Sequence, residues 1–242
     1  MKLLIVTFIY LITSDAFAQP KDGISLGAGF IYKTNIREGN NLEDYGGKTI
    51  SRTFPLASIK YKNLSIRGPS LKYKFYNKNI FQLSANLRYY GHQYRADGMY
   101  KRKRSLFGGF SARILYFLDL IYLKDLNNHS NGNLFTVSAR KKIELSDSYS
   151  MTLRLSAEYE DKNYVNYYFG VEPGEATASR SQYAGKGTVN YTLTWGHMIK
   201  VTKDINLLIN ANEVIYGKSI KNSPTVRKNE EFILFIGLSF GF

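Results

Sequence analysis

The chain has no cysteine. Disulfides are therefore unavailable as a source of stability, and with no cysteine after residue 18 a lipid-anchored lipoprotein is excluded too. Nor does any continuous apolar run of about 18 residues follow Ala18, so no helix of the mature chain is expected to cross a membrane. Acidic residues are scarce, 19 against 33 Lys and Arg, which leaves a formal charge of +14. The three histidines, His92, His129 and His197, lack metal-ligand spacing such as H-x-x-x-H, and are read as loop or strand-end residues. No metal or cofactor is expected.

What the chain does hold is 20 Tyr and 15 Phe. A tyrosine has an apolar body and a polar tip, the chemistry of a membrane–water interface. The N-terminus, MKLLIVTFIYLITSDAFA, has Lys2, then the apolar run Leu3 to Ile12, then Ala16-Phe17-Ala18. This is the pattern of a secretory signal, with cleavage expected between Ala18 and Gln19. The run is too short to span a bilayer, which needs roughly 20 residues.

Most of the remaining sequence alternates with period two. Met151, Leu153, Leu155, Ala157 and Tyr159 face one way while Thr152, Arg154, Ser156 and Glu158 face the other. Similar rows run through Ile24 to Tyr32, Phe81 to Tyr89, Phe110 to Tyr116 and Val189 to Trp195, several ending in an aromatic. A soluble β-sandwich alternates as well. Strand lengths near the roughly 9 to 11 residues of a tilted bilayer crossing, export, and long loops alternating with short turns favour an all-β fold, a transmembrane antiparallel up-and-down β-barrel over residues 19–242.

Eleven candidate strands are visible: Gly23 to Lys33, Thr53 to Lys62, Leu64 to Tyr76, Ile80 to Tyr90, Ser105 to Phe117, Leu118 to Leu126, Asn133 to Leu145, Tyr149 to Glu160, Gly187 to Ile199, Ile205 to Tyr216 and Asn229 to Phe242. A bacterial barrel needs an even number. A further short strand between Thr34 and Arg52 gives twelve, the preferred count; fusing two early segments gives ten. The connections 34–52, 91–104, 160–186 and 217–229 are expected on the outer side, and the short turns in the periplasm.

Lys101-Arg102-Lys103-Arg104 invites a nucleic-acid reading, which export argues against. In an outward loop these residues and Arg95 are expected to meet lipopolysaccharide phosphates. Glu158, Glu160 and Asp161 form an acidic cluster, for which salt bridging across the lumen is preferred over a divalent cation. His92 near Asp97, or His129 near Ser130, supplies the residue types of a rim lipid or peptide hydrolase without a fixing motif. A basic lumen, if open, would make a narrow anion-leaning channel.

The stretch Asn166 to Ala178, NYYFGVEPGEATA, resembles the MipA/OmpV family of outer-membrane proteins through Tyr167, Tyr168, Phe169, Gly170, Val171, Glu175 and Ala176. Pro55 with Tyr61, Arg67-Gly68, Asp125 with Ser130-Asn131-Gly132, Ser223-Pro224 and the last aromatic strand match in order. The resemblance implies a non-enzymatic outer-membrane barrel. One relative looks like a scaffold joining a murein transglycosylase to a murein synthase, and others are linked to osmotic response, adhesion or permeation. A plug is expected from Tyr168, Phe169 and Gly170, with Gly170 permitting a tight turn. The last strand, with Leu238, Phe240 and Phe242 in its lipid-facing row, resembles the signal read by the outer-membrane assembly machinery.

Overall fold

The computed structural model describes residues 22–41 and 46–242; the expected signal cleavage between Ala18 and Gln19 lies outside the described residues. Twelve antiparallel strands close a barrel in chain order. They are β1 (Gly23–Thr34), β2 (Thr49–Tyr61), β3 (Leu64–Arg67), β4 (Ser70–Lys78), β5 (Phe81–Tyr90), β6 (Ser105–Ile114), β7 (Leu118–Asp125), β8 (Asn133–Ser146), β9 (Tyr149–Glu160), β10 (Thr188–Lys200), β11 (Ile205–Ile215) and β12 (Glu230–Gly241). β12 closes on β1 from Ser25 opposite Gly241 to Lys33 opposite Ile233. An even count places both ends of the barrel chain and the short turns on one side, the periplasmic side of such barrels.

Strand alternation sorts the side chains. On β12 Phe232, Leu234, Ile236, Leu238 and Phe240 point outward, while Glu231, Ile233, Phe235, Gly237 and Ser239 point in. Phe110 and Leu155 on the outer surface are 62% and 59% exposed. A belt of such residues is stable against lipid and would aggregate in water.

The expected twelve strands are present, but the extra one is not where the pattern placed it. Residues 35–48 contribute no strand among the described residues. Instead the segment Leu64 to Tyr76 is split into β3 and β4 at Gly68-Pro69, where Gly68 has φ +48. Pro69 cannot donate to a ladder, so the chain reverses there. β2 also starts four residues early, at Thr49. Its outer half inverts the usual polarity: Ile50, Phe54 and Leu56 face inward while Thr49, Ser51 and Thr53 face out. The strand expected to run from Ser105 to Phe117 ends at Ile114, and the chain reverses at Leu115 and Tyr116, both at positive φ.

Because β3 is four residues long, it pairs only with Ser58 to Tyr61 of β2, whereas β1 pairs with β2 from Gly23–Lys60 to Thr34–Thr49. Ala57 O accepts from Gly68 N at 3.2 Å, so odd-numbered β2 residues direct their backbone groups toward the β3 side. Pro55, without an N–H, occupies that unpaired stretch, the edge position a strand proline tolerates.

Inside, the barrel is lateralised. The inward positions of β2 to β9 near the periplasmic end are rich in Lys and Arg, among them Lys60, Arg67, Lys72, Lys74, Arg113 and Arg154. The adjoining wall, from β10 through β12 to β1 and the outer half of β2, carries an apolar cluster of Ile31, Leu56, Met198, Leu208, Ile233 and Phe235.

Candidate functional site: the closed outer mouth

The outer connections do not splay into solvent. They fold over the barrel mouth around α1 (Lys162–Phe169), an eight-residue helix that follows β9. Asp161 caps it, its Oδ1 accepting from Tyr164 N at 2.9 Å. Tyr164, Val165, Tyr168 and Phe169 recur at helical spacing and are buried, while Lys162 and Asn163 face out. The buried face packs on Phe107, Leu123 and Leu134 of the wall and on Ile36, Tyr216 and Ile220 from two other connections. Ile220 belongs to α2 (Lys218–Lys221).

Polar contacts pin this plug from every side. Arg37 donates to Tyr168 O at 2.7 Å, and its guanidinium lies 3.9 Å from the Tyr94 ring centre and 4.6 Å from that of Phe169. Ser223 Oγ donates to Phe169 O at 2.6 Å. Tyr168 OH donates to Lys103 O at 3.1 Å, and Lys103 N donates to Tyr167 OH at 3.0 Å. Gly91, at φ +120, lies so close to the Tyr168 hydroxyl that a Cβ there would collide with it.

After α1, Pro173–Glu175 forms one 3₁₀ turn that buries Glu175. Arg102 Nη2 reaches Glu175 Oε2 at 2.6 Å, and the amides of Tyr100 and Glu172 donate to the two carboxylate oxygens at 2.9 and 3.0 Å. Burial would raise the Glu175 carboxyl, but the Arg102 guanidinium and the two amides hold it below the usual carboxylate range. His92 is pushed well below ordinary imidazole values by burial and by the charges of Arg37, Lys33 and Arg104. Its ring sits 4.8 Å from that of Phe169.

The expected site residues separate on this scaffold. Tyr168, Phe169, Gly170, Val171 and Glu175 are buried in the plug, and Tyr167 is partly buried against it. Gly170 makes no left-handed turn, since its φ is −70; a Cβ there would strike the Asn166 carbonyl, so close approach is what it supplies. Of the basic residues, Arg95, Lys101 and Lys103 are exposed, while Arg102 and Arg104 are buried. Arg102 binds Glu175, and Arg104 Nε donates to Gly91 O at 3.2 Å, so neither presents its charge to lipopolysaccharide.

Two members of the acidic cluster serve neutral donors: Glu158 accepts from Tyr90 OH at 2.7 Å and Thr136 Oγ1 at 2.9 Å, and Asp161 caps α1. No group of metal-ligating side chains occurs among the described residues. Ser130 Oγ donates to Asp125 at 2.7 Å, His129 Nδ1 lies 3.0 Å from Arg104 O, and the exposed Asp97 accepts from Asn41 at 2.6 Å. The residue types of a rim hydrolase are spent on structure. Asp125 also accepts from Ser105 Oγ and from the amides of Asn127 and Asn131.

Sequence reasoning missed Arg37, Tyr94, Tyr164 and Ile220. For Tyr164 a signal existed, because Tyr164, Val165, Tyr168 and Phe169 repeat with helical period inside a loop. For Arg37 none did.

A closed twelve-stranded barrel with a lipid-facing apolar belt and a loop-filled mouth defines an outer-membrane β-barrel protein. The family profile described as MltA-interacting protein MipA matches residues 26–242, and the chain belongs to that family. It is 22% identical over 242 residues to the 24 kDa outer membrane protein of Pasteurella multocida (strain Pm70), covering 91% of this chain and 93% of the relative. It is 25% identical over 183 residues to outer membrane protein OmpV of Vibrio cholerae serotype O1, covering 71% of each. Among solved structures the NanC porin is similar at TM-score 0.46 and 12% identity, covering 89% of this chain and 98% of that one. The protein resides in the outer membrane of a Gram-negative bacterium.

Proposed function

We propose that this protein is a non-enzymatic outer-membrane barrel, closed on its outer side, that serves as a scaffold for murein-degrading and murein-synthesising enzymes at its periplasmic end. The observation that carries the closed state is α1 seated in the mouth and tied down by the buried Arg102–Glu175 pair. The family's description, an MltA-interacting protein, supports a murein transglycosylase as one partner. Pull-down from crosslinked envelopes should recover a transglycosylase and a synthase together; recovery of neither counts against the scaffold. Single-channel recording should show no steady conductance.

A second reading, a narrow anion-leaning channel, draws on the basic lumen. Steady anion-selective current from the purified barrel would establish it in place of the closed scaffold. The exposed Arg95, Lys101 and Lys103 are the outward cations suited to lipopolysaccharide phosphates. The outward row Leu238, Phe240 and Phe242 is suited to the assembly machinery.

A further inference from the structure

The inward-facing row of β2, β3 and β4 nearest the periplasm consists of serines and cations. Ser58, Lys60, Ser65 and Arg67 lead to Ser70, Lys72 and Lys74, and no carboxylate interrupts them. Arg113 of β6 and Arg154 of β9 face them across a cavity of about 100 Å³. In all, eight Lys and Arg side chains line the cavity against one carboxylate among the described residues, Asp119. That carboxylate is already engaged, by Arg113 at 2.7 Å and by Arg140 at 3.6 Å. Asn86 and Ser111, hydrogen-bonded to each other at 3.0 Å, add neutral polar groups to the lining.

An anion placed among so many cations inside a low-dielectric wall is attracted by all of them at once. Guanidinium forks and lysine point charges together suit phosphate oxygens. Lys62 and Asn63, in the periplasmic turn between β2 and β3, belong to the same lining, so the cavity lies at that end of the lumen.

We infer that the periplasmic half of the lumen is a binding site for a small anion carrying clustered phosphate groups. The site takes its ligand from the periplasmic end, and only this direction of entry rests on the closed-mouth reading. The phosphates can belong to a free solute or to a phospholipid headgroup.

The test is calorimetric titration of inorganic pyrophosphate into the full barrel in phosphatidylcholine nanodiscs. Saturable binding should weaken steeply as NaCl rises from about 50 to about 500 mM, as a charge-dominated site requires. Lys72→Gln with Lys74→Gln should weaken binding at least about tenfold, following the loss of two phosphate partners. The paired Lys72→Arg and Lys74→Arg change should retain it, and Lys218→Gln with Lys221→Gln on the exposed face of α2 should leave it unchanged. Heat-modifiable gel mobility verifies that each variant is folded. In phosphatidylglycerol nanodiscs, a loss of pyrophosphate affinity that vanishes in the Gln pair identifies a lipid headgroup as occupant; unchanged affinity identifies a free solute. Absence of saturable binding by the parent protein, or equal binding by the Gln pair, overturns the inference. Conductance through the barrel would overturn the closed mouth and leave this site standing.

Discussion

At the scale of single residues, the plug depends on charges that are buried and matched. Arg102 and Glu175 are both almost fully enclosed and 2.6 Å apart. Removing one partner strands the other, a change that costs about 3–5 kcal/mol for a buried pair. Glu175→Ala is therefore expected to loosen the plug within a folded barrel, measured as faster tryptic cleavage at Arg180, whose side chain donates to Glu175 O at 2.8 Å.

Acid should act in the same direction. His92 and Glu175 both titrate lower when the plug is docked than when it is free. The free plug therefore binds more protons, and docking weakens as pH falls. Cleavage should rise first as pH drops below about 6.5, the ordinary histidine value, and again through the carboxylate range. His92→Phe, which keeps the ring contacts, should abolish the first rise only. Local sequence misled for Lys101 to Arg104 because four consecutive cations read as a solvated run. Tyr94 and Arg102 form an extended bridge, and along extended chain the side chains alternate, two out and two in.

At the scale of elements, legibility followed period. Strands such as β9 and β12 have one apolar row and one polar row, so their identity and facing were plain from the residues. The outer half of β2 was not plain, because its inward row meets the apolar cluster at Phe235 and Ile233 and its polarity is reversed. α1 escaped for another reason: eight residues give barely two turns of signal, and tertiary burial of Tyr164 and Phe169 rather than propensity stabilises them.

Two changes test α1 as the closing element. Tyr168→Ala with Phe169→Ala removes two fully buried rings, each such truncation costing about 3–5 kcal/mol, and should convert a silent barrel into one with steady conductance. Gly170→Val should do so more weakly by pushing against the Asn166 carbonyl; unchanged conductance and protease resistance would refute its close-packing role.

At the scale of the whole molecule, the barrel class could be read from export, alternation and loop asymmetry together. The lateral division of its lumen could not, because strand parity assigns a face but not which strands meet across it. Closure of the twelve strands in chain order supplies that, and register sets neighbours within the wall, placing Arg113 beside Asp119 and Ser25 beside Ser58. The outward row of β12 gives a test at this scale. Phe240→Ala with Phe242→Ala is expected to lower insertion several-fold while export continues, measured by the ratio of membrane-embedded to periplasmic protein; equal insertion would remove the assembly role of these aromatics.

The short β3 gives the hoop a clasp. Four cross-strand residue pairs join it to β2, whereas twelve join β1 to β2, and Pro55 adds no donor above them. A closed ladder is as strong as its shortest rung set, so the amides of β3 should exchange with solvent before those of β1, and a barrel under heat or lateral tension should part there first. β3, held by four pairs to each of its neighbours, also borders the basic cavity, so a ligand seated against Lys60 and Arg67 would hold the two sides of the clasp together.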